Sequence, residues 1–231
     1  MLRAHAGEWS LEGAAEKLAW RARLPGASSY DRAAHALRVL AANGADAMQL
    51  LPLALPASWL VNARATSHVF QRWLAPPSRD AWALLLERLG PMASLEDWLA
   101  ASAADRADVA RALTVIATGR DGATLCAATK VLALLRPQLV PLMDDAAIAF
   151  AIGAVPMPES ADDPRAGAET FAPMLDWFAR AVASAEADLV AIAKAHAFAV
   201  LDAPQVLDRL LWFDSWGHRL KNAEAPRSAT R

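Results

Sequence analysis

Apolar positions recur along this chain at intervals of three and four residues, and polar punctuation cuts them into segments. That period marks helices with one buried face. Ser28-Ser29-Tyr30-Asp31 reads as a capping box, and the helix it opens stops at Asn43-Gly44. Ser78 can cap a helix running to Leu89, which Gly90-Pro91 ends. Ser94 with Asp97, and Ser102 with Asp105, repeat the Ser-x-x-acid start, the second for a helix running to about Ala117. Asp121 can cap a helix that Arg136-Pro137 ends, because the residue before a proline is pushed out of the α region. Asp144 caps a short apolar helix closing near Gly153, and Asp163-Pro164 opens a long one. Asp202 with Gln205 caps the last clear helix, which stops near Trp216-Gly217.

No run alternates with period two convincingly enough for a strand, and there is neither an internal repeat nor a sustained heptad. The pattern predicts an all-α fold of about eight to eleven helices. Two segments read as loops, Pro52–Ser58 and the polar, proline-rich Val155–Gly167. The second is an internal linker or a surface excursion. The part beyond it would bury too little surface to stand alone. A single helical domain over residues 1–220 is therefore expected, with 221–231 as a disordered tail.

Composition supports this picture. The hydrophobic fraction is 55%, rich in the helix formers Ala and Leu. Nine Trp stand against one Tyr, which points to core and inter-helix packing, with base stacking as the sharper alternative. The 23 basic and 25 acidic side chains leave a formal charge of −2. A broad basic face for nucleic acid or anionic membrane is not expected, though a local patch is compatible. One cysteine, Cys126, excludes an intrachain disulfide and an iron–sulfur cluster, and fits a reducing compartment. Glu8, Glu12 and Glu16 stand where an export signal would be apolar. The most apolar window, residues 45–61, is broken by Gln49, Pro52 and Pro56, so it is not a membrane span. A cytoplasmic protein without cofactor is expected.

Candidate chemistry concentrates between Thr118 and Ile148. Lys130 lies within a helix that is apolar almost all round, on one face with Cys126 and Leu134. A lysine there must snorkel to the edge or meet a carboxylate. Asp144 and Asp145 are the nearest carboxylates in sequence. Two readings are open: a snorkelling lysine beside an N-cap aspartate, or a Lys–Asp pair at a functional cleft. Cys126, on the apolar helix, reads as an inert thiol. The five histidines show no metal-ligand spacing. Residues 212–219 mix aromatics with Arg and His, and Arg64, His68 and Arg72 would form a small basic stripe if helical.

The pattern Ala128-Thr129-Lys130, Arg136-Pro137, Asp144, with the later Leu207–Phe213 (LDRLLWF), resembles an uncharacterised family of bacterial helical proteins. The layout resembles, more remotely, the helix-hairpin-helix DNA glycosylase superfamily. On that resemblance residues 106–117 and 123–135 flank a hairpin at Gly119-Arg120-Asp121-Gly122, and Arg136–Asp145 leads into a catalytic aspartate. The resemblance implies a helix-hairpin-helix-like centre, Asp144 as the catalytic aspartate, and Gly119, Arg120, Gly122 and Thr124 as phosphate-binding positions. Lys130 stands beside Asp144 as a catalytic candidate through the Lys–Asp pair reading and not as a carried-over nucleophile. The resemblance implies DNA as a partner. The lysine of bifunctional members would fall near Thr124, with Lys130 about two turns further on. The alternative function is a non-catalytic helical module that binds a protein partner. A basic-rimmed cleft around Asp144 would favour the first reading, and an aspartate that merely caps its helix the second.

Overall fold

In the computed structural model the described residues are 2–61, 65–118, 122–153, 168–195 and 201–224, with the side chains at 25–28, 61 and 218–224 outside that description. Among them run a short hairpin, β1 (Leu2–Ala4) and β2 (Gly7–Trp9), and eleven α-helices. These are α1 (Ala14–Ala22), α2 (Pro25–Ala42), α3 (Ala47–Ala57), α4 (Ser67–Trp73), α5 (Ser78–Leu89) and α6 (Leu95–Ala100). They continue as α7 (Ala103–Ile116), α8 (Leu125–Leu135), α9 (Asp145–Ile152), α10 (Ala168–Ala195) and α11 (Ala203–Glu224). The fold is all-α, as the periodicity predicts.

Caps set many of these starts. Asp46 and Gln49 close a capping box on α3, and Ser94 and Asp97 close another on α6. Ser102, Thr124, Asp144 and Asp202 each accept a backbone N–H three residues on, opening α7, α8, α9 and α11. Five local expectations are corrected. Helix α5 begins at Ser78 itself behind Pro77, with no side-chain cap, so Ser78 is its first residue and not its cap. Helix α2 starts at Pro25, with Pro in its first turn, so Ser28–Asp31 lies inside the helix and is not its cap. Residues 52–57 are helical, although α3 holds Pro52 and Pro56. Burial of Leu50, Leu51, Ala54 and Leu55 at 0–4% exposure outweighs the missing N–H groups. Thr124 caps α8 in place of Asp121, which lies outside the described residues. Helix α11 continues through Gly217 to Glu224. The expected linker and the Asp163-Pro164 start lie outside the described residues.

The hairpin was not expected, since three-residue strands are too short to show a period. Leu2 pairs with Trp9 across it, and both are buried. His5 N–H and Ala6 N–H donate to the Ala151 and Phe150 carbonyls, satisfying the end of α9. One continuous core runs through the described helices. Within it α5 packs along α7, α8 lies against α3, α2 and α7, and α11 packs against α1, α9 and α10. Trp73, Trp82 and Trp98 are fully buried, so these three indoles serve packing. Among the described residues no helix is long and apolar enough to cross a membrane.

Candidate functional site

The central segment is built on α8, whose Leu125, Ala127, Ala128, Thr129, Val131, Leu132, Ala133 and Leu134 are all buried. A helix buried on so many sides fixes the course of the chain beyond it. Leu139 N–H and Val140 N–H donate to the Arg136 carbonyl, turning the chain after the helix. Thr129 Oγ1 donates to the Met143 carbonyl, 3.2 Å away, tying α8 to the residue before Asp144. Leu142 N–H donates to Asp208 Oδ1 at 2.8 Å, tying the same stretch to α11.

Asp144 therefore arrives at the start of α9 already held. Its Oδ1 accepts the Ala147 N–H at 2.8 Å, and its Oδ2 accepts the Trp216 indole N–H at 3.0 Å. Asp145 Oδ1 accepts the Cys126 thiol at 3.0 Å. Burial, with the Asp145 charge adding to it, holds the Cys126 thiol well above its usual range, so it stays a protonated, inert thiol. Lys130 is half-buried; its charge bears on the Cys126 thiol and its carbonyl accepts the Tyr30 hydroxyl at 2.8 Å. The structure thus gathers Cys126, Lys130, Asp144 and Asp145 around the α8–α9 junction and adds the indole of Trp216. Each of these groups has a local partner.

Of the phosphate-binding positions, Gly122 has a positive φ of 86° and Thr124 uses its hydroxyl to accept the Ala127 N–H. Gly119 and Arg120 lie outside the described residues, as does Arg64 of the basic stripe. His68 is exposed on α4 and Arg72 half-buried. Among the described residues no three His, Cys, Asp or Glu side chains come together as a metal site.

A second polar cluster escaped the sequence reading. Arg21 (α1), Tyr30 and Asp31 (α2), and Gln205, Asp208 and Arg209 (α11) meet within the core, and all but Asp31 are buried. Asp31 receives both arginines, Arg21 Nη1 on Oδ2 at 3.2 Å and Arg209 Nη2 on Oδ1. Arg209 Nη1 donates to the Gln205 carbonyl at 2.8 Å. Burial lowers the affinity of the Arg21 guanidinium for its proton, with Arg209 adding to the effect. Burial likewise raises the Tyr30 hydroxyl well above its ordinary range, with Asp208 the next cause. The cluster adjoins a cavity of about 20 Å³, lined by Tyr30, Pro137, Leu142, Asp208 and Arg209 among others. That volume suits a single water and excludes a nucleobase. The available signal was charge at core positions: Asp208-Arg209 stands among Val206, Leu207, Leu210 and Leu211, all at most 1% exposed.

Aromatic side chains of α1 and α11 pack on one another, and Trp216 of α11 reaches Asp144. Trp20 stacks on Trp212 at 6.4 Å and meets Phe213 edge-on at 5.3 Å. Trp20 and Trp216 are 47% and 36% exposed, so these rings, unlike Trp73 or Trp82, face solvent.

No curated protein and no solved structure matches the chain. A family match runs from Ser28 to Ser215, which takes in α2 through the aromatic stretch of α11, including Tyr30, Asp31, Lys130, Asp144, Asp208 and Arg209. Since that match covers most of the sequence, the chain belongs to the family described as a family of unknown function, DUF6308.

Proposed function

We propose that the protein is a non-catalytic helical binding module. The observation that carries this reading is the commitment of its candidate chemical groups. Both Asp144 oxygens, the Thr124 hydroxyl and the Cys126 thiol make hydrogen bonds that hold the fold. Each Asp144 oxygen carries a structural donor, one capping α9 and one from the α11 indole, so the carboxylate joins two helices, and Asp144 does not line the cavity beside Asp208. Exposed large apolar side chains, Trp20 on α1, Leu53 on α3 and Trp59 just beyond it, offer anchors for a protein partner.

A second reading, a DNA-associated protein of glycosylase-like architecture, draws support from the order of elements. Helices α7 and α8 flank a connection holding Gly122 at positive φ, and a proline-containing stretch leads to Asp144 at the N-terminus of α9. On that reading the backbone at Gly119, Arg120, Gly122 and Thr124 holds phosphate. Asp144, with Lys130 nearby, faces positive charge developing on a sugar.

A salt-dependent titration with intact and abasic duplexes, followed by a base-release assay on damaged duplexes, decides between them. The module reading expects no base release under any condition where the protein binds. Release that disappears in Asp144→Asn, with binding retained, overturns it in favour of the glycosylase-like reading. Binding that weakens steeply with salt and is abolished by Arg120→Glu places DNA on the α7–α8 connection.

A further inference from the structure

Asp208 is 6% exposed and lies where α11 meets α1, α2 and the 136–143 connection. Its carboxylate is thinly solvated. Oδ1 accepts the Leu142 N–H at 2.8 Å, while Oδ2 is 4.0 Å from Arg209 Nη1. The two neighbouring arginines are committed elsewhere, since Arg21 and Arg209 both donate to Asp31 and Arg209 Nη1 donates to the Gln205 carbonyl. A buried carboxylate with one backbone donor and a distant cation favours its neutral form. The adjoining cavity has room for a water through which a proton can reach it.

The groups facing Asp208 are Arg209 and Gln205 from α11, Arg21 from α1, Tyr30 and Asp31 from α2, and the Leu142 N–H from the connection; α8 contributes Ala133 to the cavity wall. We infer that Asp208 is a proton-taking tether, which fastens α11 to the 136–143 connection and makes that fastening respond to mild acid. Leu142 precedes Asp144 by two residues, and α11 grips the chain again where Trp216 donates to Asp144. Protonation at Asp208 thus acts on the stretch that sets Asp144. This goes beyond the binding-module reading and holds whether or not that reading does.

Burial, against the opposing charges of Arg209 and Arg21, pushes the Asp208 carboxyl from 3.8 up to about 6. The folded chain then binds this proton more tightly than the unfolded chain does. The contribution to stability is full below the ordinary carboxyl range and is lost as pH rises through about 6. Between about pH 7.5 and pH 4.5 it amounts to roughly a 25-fold gain in the folding equilibrium constant.

The test is carbon-detected carboxyl NMR on the full chain, with the Leu142 amide followed in the same titration. A stability series compares wild type with Asp208→Asn, which stays neutral and can still accept from Leu142. The expected result is an Asp208 midpoint near 6, an amide shift with the same midpoint, and a wild-type gain over the variant of about 25-fold at pH 4.5. An Asp208 midpoint in the ordinary range near 4, or a Leu142 amide indifferent to it, overturns the inference. If Asp208→Asn does not fold, the wild-type titration decides alone.

Discussion

Asp144 makes two hydrogen bonds of different kinds, one to the backbone of its own helix and one to an indole from α11. Asparagine caps a helix nearly as well as aspartate, and it retains one carbonyl acceptor. Asp144→Asn should therefore keep the bond to Ala147 N–H and lose the one to Trp216, a cost of about 0.5–1.5 kcal/mol. Asp144→Ala loses both and should cost about 1–3 kcal/mol. Urea midpoints at constant m-value read the difference. Equal losses for the two variants would show that the cap contributes nothing. The capping role of Asp144 was legible in the sequence, because an aspartate followed by an apolar run carries that signal locally. Its second partner was not legible, since Trp216 is 72 residues away and reaches it only through the packing of α11 on α9. Lys130 illustrates the same limit. Its apolar surroundings on α8 could be read, whereas the Tyr30 hydroxyl on its carbonyl depends on where α2 lies.

At the scale of elements, the end of α9 depends on its neighbours. Gly153 closes the helix at a φ of 72°, where a side chain is strained, and a Cβ there would stand 2.6 Å from the His5 ring. Gly153→Ala should cost about 1–2 kcal/mol from backbone strain and more from the contact. Adding His5→Ala should recover the contact part and leave the strain, a non-additivity that thermal melts of the two single variants and the double variant measure. Strict additivity would mean that the hairpin turn does not sit on Gly153. The closing glycine follows from the chain pattern. The hairpin above it does not, because its turn donates to the α9 carbonyls and Trp9 of its second strand packs edge-on to Phe150. The helical course of residues 52–57 has the same origin: proline argues locally for a break, and the buried face of α3 prevails.

For the whole molecule the Asp31 cluster is the seam between the two ends of the chain. Arg21 comes from α1 and Arg209 from α11, and Asp31 on α2 receives both. The two arginine side chains are only 5% and 7% exposed. Removing the carboxylate would leave two buried cations without it, and breaking such a pair costs about 3–5 kcal/mol. Asp31→Ala should lower stability by that order, read as a shift in the urea midpoint, while Glu12→Ala on the exposed surface should stay within about 0.5 kcal/mol. A loss below about 1 kcal/mol for Asp31→Ala would mean that water replaces the carboxylate and that the seam lies elsewhere. The all-α class, the starts of α6, α7, α9 and α11 and the burial of α8 were set by the sequence alone, because apolar spacing and capping residues act within a few positions of one another. The tertiary structure alone decided that Asp208-Arg209 and Tyr30-Asp31, some 180 residues apart, form one buried cluster, and that Trp216 reaches Asp144. Charges at core positions announce that partners are needed. Which partners they find is fixed only when the helices pack.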